Sequence, residues 1–239
     1  MDEGIIGPSS SRGQARARRP RLSRDRVVEG AIELADGIGA SSLTIRKLAT
    51  HLGVKPMAIY NYVASKEEIL DAMVDAVFGE FTSPPEDRPW REAIGIRCHS
   101  ARAVLARHPW ATPLLDSRTS PGPETVRHHN AVLGCFRRAG FSLPLTAHAY
   151  ALIDSHLFGF ALQEAALPAL GGDEMVALAG ELMAAFDGLP HLRELTVDHV
   201  LQPGYDFRDE FAFGLDLILD GLERSRDAER AHPEGGMGP

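Results

Sequence analysis

Residues 43–63 read LTIRKLATHLGVKPMAIYNYV, and the fold turns on how this stretch is read. Ile45, Leu48, Ala49 and Leu52 stand at i, i+3, i+4 and i+7, the apolar stripe of one short helix. Thr44 occupies the N-cap position, Gly53 is placed to end the helix in the left-handed conformation, and Pro56 is placed to open the next. That second helix, expected over 56–62, turns Ile59 and Val63 inward. Lys55, Met57, Ala58, Tyr60, Asn61 and Tyr62 then face outward, on a helix of the size that enters the DNA major groove. Packed helices in any all-α protein share the periodicity. Small Ala49 at the crossing, Gly53 in the turn and Ile59 back in the shared core favour a helix-turn-helix.

The order IYNYVASKEEILDAM, residues 59–73, runs from a tyrosine-rich reading helix straight into another helix. With Thr44, Arg46, Leu48, Ala49, Leu52, Gly53, Val54, Tyr60, Val63 and Lys66, this resembles the TetR (tetracycline repressor-like) family of one-component bacterial regulators, closely over residues 24–81. Residues 140–165, GFSLPLTAHAYALIDSHLFGFALQEA, look like the long dimer-forming helix of the tetracycline repressors. The resemblance implies that helix 66–81 is a connector whose tilt relays events in a rear domain to the reading head. The tetracycline repressors hold a drug-bound metal with a loop histidine and a late glutamate. The corresponding neighbourhoods here read Pro113-Leu114-Leu115 and Leu162-Gln163-Glu164, so no metal and no cofactor is expected.

The chain of 239 residues has room for two cores, and 44% hydrophobic with 24% charged residues is an ordinary globular balance. No apolar run is long enough to cross a bilayer and no secretory signal opens the chain, so a cytoplasmic protein is expected. Two cysteines, Cys98 and Cys135, stand outside any C-x-x-C pattern and fit a reducing compartment as inert core residues. The net charge of -8 argues against nucleic acid until it is mapped: residues 1–70 hold eleven Lys and Arg against eight Asp and Glu. The basic excess therefore sits with the helix-turn-helix.

The expected fold is all-α: an N-terminal three-helix helix-turn-helix domain and a C-terminal helical-bundle domain for ligand binding and dimerisation. Residues 1–20 read as a disordered basic arm, with Arg12, Arg16, Arg18, Arg19 and Arg21 available to phosphates. Residues 21–82 form the DNA-binding domain with helices at 23–37 and 66–81, the prolines of 82–89 divide the chain, 89–227 is the rear domain, and 228–239 is a flexible tail. Rear helices are expected at 90–107, 110–115, 124–139, 144–167, 173–186 and 206–226, with 187–199 poorly patterned. Surplus apolar residues on 144–167 and 206–226, among them Phe158 and Leu215, predict a homodimer built on those two helices.

DNA contacts are expected from Thr44, Arg46, Lys55, Pro56, Met57, Ala58, Tyr60, Tyr62 and Lys66. A small-molecule cavity between rear helices has as candidates Arg97, Ala101, Leu105, Trp110, Leu114, Val132, Phe136, His156, Phe160 and Gln163, each also a position for plain core or dimer packing. The pairs His128 with His129 and His148 with His156 lack the spacing of a closed metal site, and no G-x-S-x-G, P-loop, G-x-G-x-x-G or H-E-x-x-H is present, so neither metal nor catalysis is expected. The reading is a homodimeric repressor released from a palindromic double-stranded operator by a small-molecule effector. Its rivals are a helical binding or catalytic protein with a vestigial head, and an architectural DNA protein without a ligand.

Overall fold

The computed structural model describes residues 21–117, 120–167 and 169–232. Eleven α-helices run through these residues: α1 Arg24–Ile38, α2 Ile45–Leu52, α3 Pro56–Ile59, α4 Lys66–Glu80, α5 Trp90–Arg107, α6 Ala111–Ser117, α7 Pro123–Arg138, α8 Leu143–Ala166, α9 Gly172–Leu182, α10 Pro190–Leu195 and α11 Asp209–Ala231. No strand occurs among them, only an isolated bridge between Gly171 and Asp206 that ties the α9–α10 lobe back to its root. None of these helices is long and apolar enough to cross a membrane.

Side-chain caps set the helix starts. Ser23, Thr44, Ser65 and Ser142 each accept a hydrogen bond from the backbone N–H three residues on, opening α1, α2, α4 and α8. Glu68 reaches back to the Ala64 N–H at 2.7 Å and tightens the start of α4. Gly53 ends α2 at φ 68°, where its N–H bonds back to the helix. Gly30 of α1 lies so close to α2 that a Cβ there would come within 2.5 Å of Leu52. Helices α1 and α2 are thereby held in contact.

The expected reading helix 56–62 is shorter as an α-helix, ending at Ile59. The chain keeps turning, with Tyr62 N–H on Ile59 C=O at 2.9 Å and Val63 N–H on the same carbonyl at 3.3 Å. Mixed i−3 and i−4 bonding of this kind closes a helix tightly, so residues 60–62 form its last turn. At the other end α11 passes both the expected end at 226 and the tail boundary at 228. Arg230 donates to Ala139 C=O at 2.8 Å and Glu229 accepts from Ser142 at 2.9 Å, clamping the extension onto the turn between α7 and α8.

One apolar core runs from Val27 of α1 to Leu222 of α11. The connector α4 makes it continuous, burying Ile69, Leu70, Met73, Val74, Val77 and Phe78 against α1 on one side and α5, α6 and α7 on the other. The expected dimer surface needs correction. Leu215, Phe211 and Leu219 of α11 and Leu145, Leu157 and Phe160 of α8 are buried within the protomer, because these two helices pack on each other. Phe158 is half-buried on a cavity wall. What stays exposed on them is Leu143, Leu152 and Leu162 of α8 with Phe213 and Leu217 of α11.

Replacing Gly53 by Ala forces a Cβ into the left-handed region and is expected to cost about 1 to 2 kcal/mol. Urea denaturation of the two proteins measures it, and equal midpoints would remove the turn from the set of constraints on the head.

Candidate functional site

The head is cross-braced before any ligand is considered. Glu33 of α1 accepts from Arg26 and meets His51 of α2, both at 2.8 Å. The Arg26 hydrogen bond, with help from His51, holds the Glu33 carboxyl below its ordinary range. On this frame Thr44, Arg46, Lys55, Pro56, Met57, Tyr60 and Tyr62 are exposed, Met57 at 72%, while Ala58 and Lys66 are half-buried. Met57, Tyr60 and Tyr62 are thus large side chains kept out of the core in α3 and the turn that closes it, with Lys55 at its N-cap. Of the basic arm, only Arg21 lies within the described residues.

Three carboxylates, Asp36, Glu80 and Asp75, join this head to the rear helices. Asp36 near the end of α1 takes the Trp110 Nε1–H at 2.6 Å and the His108 Nδ1 at 2.7 Å. His108 Nε2 also lies 3.3 Å from Glu80 at the end of α4. Asp75 of α4 caps α7, accepting from the Thr125 N–H at 2.8 Å, the Thr125 hydroxyl at 2.9 Å and the Glu124 N–H at 3.3 Å. Gly122 is required beside it, since a Cβ there would fall 2.2 Å from the Asp75 carboxyl.

Next to that cap a cavity of about 720 Å³ opens between α4, α6, the turn at 120–122, α7 and α8. Val74, Phe78, Leu115, Phe158 and Leu162 give it an apolar wall; Thr112, Ser120, Thr125 and Asp71 line it as well, with His129, Tyr150 and Asp154. Its size and mixed lining suit a small organic ligand. Behind Asp154, the wholly buried Arg97 of α5 places Nη2 2.9 Å from Asp154 Oδ1 and donates from Nε to His128 Nε2 at 2.9 Å. The pair is not aligned as a hydrogen bond: Arg97 Nη2, Asp154 Oδ1 and His128 Nδ1 are buried with no hydrogen-bond partner among the described residues. Burial first, then the Arg97 cation, lowers the His128 pKa to about 3. Burial and the neighbouring Asp154 keep the Tyr150 hydroxyl protonated well above its usual range.

None of the ten residues named from sequence for the cavity is on its lining. Ala101, Leu105, Val132 and Phe136 are core, the last packed against Trp90 and Phe141. Leu114 packs against that core, and Trp110 holds Asp36. His156 bonds the Phe211 carbonyl at 3.0 Å and Phe160 stacks on Phe207, both on the face of α8 turned to α11, while Gln163 is exposed. Arg97 stands one layer behind the wall. The residues missed, Tyr150, Asp154 and Phe158, lie four apart on α8, a regular face with a polar pair that sequence alone could have flagged. Among the described residues no three His, Cys, Asp or Glu side chains gather as a metal site. Both buried thiols are pushed up in pKa by burial.

Residues 27–73 match the family described as "Bacterial regulatory proteins, tetR family" and residues 83–226 that described as "Tetracyclin repressor-like, C-terminal domain". The chain is 33% identical over 226 residues to the HTH-type transcriptional repressor DrrR1 of Streptomyces coeruleorubidus, covering 90% of this chain and 82% of that one. It is 30% identical over 210 residues to the class C tetracycline repressor protein of Escherichia coli, covering 86% and 93%. The crystal structure of the Streptomyces coelicolor protein ActR in complex with actinorhodin superposes with a TM-score of 0.70 at 26% identity, covering 87% and 99%.

A neutral buried His128 makes stability depend on pH. Unfolding restores its ordinary value of 6.5 from about 3, so between these limits the unfolded chain binds more protons and stability falls as pH is lowered. The loss approaches about 1.4 kcal/mol per pH unit for one proton. His128→Gln keeps an acceptor for Arg97 and removes the proton uptake. Urea titrations from neutral pH downward should show the wild type losing stability faster than the variant, and parallel curves would contradict a neutral His128.

Proposed function

We propose, for a chain that belongs to the tetR family of bacterial regulatory proteins, a homodimeric repressor that leaves its operator when a small organic molecule enters the cavity beside α4. The protein is a DNA-binding transcriptional regulator of all-α fold. One observation carries the mechanism: α4 supplies Val74 and Phe78 to the cavity wall and packs on α1 of the head, so ligand occupancy and head orientation share a single helix. The start of α6, which follows Trp110, lines the same cavity, and Trp110 holds Asp36. A ligand that favours one arrangement of these helices shifts the head only by its differential affinity for the two arrangements.

Two heads about 34 to 36 Å apart meet successive major grooves on one face of a palindrome. We assign phosphate contacts to Thr44, Tyr60 and Lys66 and base-edge contacts to Arg46, Lys55, Met57 and Ala58, with Pro56 and Tyr62 completing the surface. We divide the chain into a reading unit over 21–82 and an effector unit from 89 through the end of α11. The protein acts in the cytoplasm, as a regulator and not as an enzyme. DNase protection of candidate promoter fragments, followed by a screen for small molecules that lift the protection, tests the reading. A chain that protects no fragment would end it.

Arg46→Ala is expected to relax discrimination at one base pair by about 1 to 3 kcal/mol, whereas Lys66→Ala weakens all sequences alike and flattens the salt dependence. Competition binding against singly altered operators separates the two, and unchanged discrimination in the Arg46 variant removes it from the base readers.

For the dimer we assign the exposed apolar residues of α8 and α11, Leu152, Phe213 and Leu217. Phe213→Glu buries an unpaired charge twice at a two-fold contact and should give folded monomers, whereas Leu215→Glu charges the protomer core and should unfold the chain. Sedimentation equilibrium with circular dichroism reads both. A folded Phe213→Glu dimer of normal affinity would move the interface elsewhere.

A further inference from the structure

One polar stretch of the cavity wall stands on α8. On α8, Tyr150 and Asp154 stand one turn apart and line the same wall, with the His129 ring of α7 edge-on to the Tyr150 ring at 5.6 Å. Phe78 meets His129 edge-on at 5.4 Å and carries the aromatic surface onto α4. Asp154 is placed unusually for a carboxylate on a binding surface. Its Oδ1 is buried against Arg97, yet the side chain keeps 13% exposure. That exposure therefore belongs to the rest of the side chain, on the cavity wall. A carboxylate has about four lone-pair sites, and Arg97 from behind with the Tyr150 hydroxyl beside it leaves acceptor capacity toward the cavity.

On the reading of this cavity as the effector site, we propose that Asp154 selects the effector class: a flat, largely aromatic, uncharged molecule whose hydroxyl donates a hydrogen bond to the Asp154 carboxylate. Two arguments favour a neutral donor over a cation. Arg97 already compensates the charge of Asp154, so an ammonium entering here is desolvated without an unpaired anion to meet. A hydroxyl is stripped of water at lower cost and gains a charge-assisted O–H···O⁻ bond. Aromatic shape follows from the rings of Phe78, His129, Tyr150 and Phe158 around that stretch, which reward a planar π-system in stacked or edge-on contact. The neutral His129 ring adds no charge, its protonation being disfavoured first by burial.

The test uses the full chain and three fluorescent probes of one shape: 1-hydroxypyrene, 1-methoxypyrene and 1-pyrenemethylamine. The hydroxyl probe should bind about tenfold or more tightly than the methoxy probe, the scale of one hydrogen bond to a charged group, and more tightly than the amine. In Asp154→Asn the hydroxyl-to-methoxy ratio should fall several-fold. In the double variant Arg97→Met with Asp154→Leu, which replaces the buried pair with apolar groups and keeps the core filled, it should approach one while the methoxy probe still binds. Equal binding of hydroxyl and methoxy probes, or tightest binding of the amine, overturns the assignment of Asp154 and leaves the cavity as an effector site. A wild-type chain that binds none of the three overturns the effector reading of the cavity itself.

Discussion

The structure depends on one constraint: from Glu68 to Phe78 no residue of α4 is fully exposed. A helix with a single apolar face can belong to one domain, whereas Ile69, Leu70, Met73, Val74, Val77 and Phe78 cover too wide an arc for that. Part of this surface is covered by α1 and the larger part by the rear helices α5, α6 and α7, so neither unit buries its core without the other. The polar contacts at its margins, Asp75 on the start of α7 and Glu80 on His108, fix the height and rotation at which the rear helices meet it.

Binding in such an arrangement requires no long pathway. The cavity wall and the support of the head are opposite sides of one helix, and α6 reaches α1 directly through Trp110. Packed elements of this kind move between discrete arrangements and do not deform continuously. On the proposed reading, the head responds to whichever arrangement the cavity contents favour, and coupling is limited by how differently the ligand is held in each.

Much of this was legible in the sequence, and what was not has physical causes. The reading unit was clear because Thr44, Gly53 and Pro56 are local signals whose effect does not depend on distant packing. Helix α5 was found at its observed bounds, marked by Pro89 before it and the His108-Pro109 break after it. Sequence places the cavity on the His156 and Phe160 face of α8, a helix apolar nearly all round, whereas the cavity opens on the face of Tyr150, Asp154 and Phe158, where the polar pair is a weak signal among so many apolar neighbours. The length of α11 was underestimated because Arg230 and Glu229 gain partners only across the fold, on Ala139 and Ser142. The shortened α3 reflects tight closure of its last turn, which propensity does not encode.

The Asp36 contact bears on the portability of the head. Because the carboxylate that ends α1 is satisfied by the indole of Trp110 and the imidazole of His108, a head transplanted onto a foreign effector domain arrives with an acceptor cut for donors it no longer has. Because Asp36 is exposed, such a head can hydrate the carboxylate, but it loses the contact that sets its angle to the rear helices; a unit that keeps the contact includes the His108-Pro109-Trp110 corner and is discontinuous in sequence.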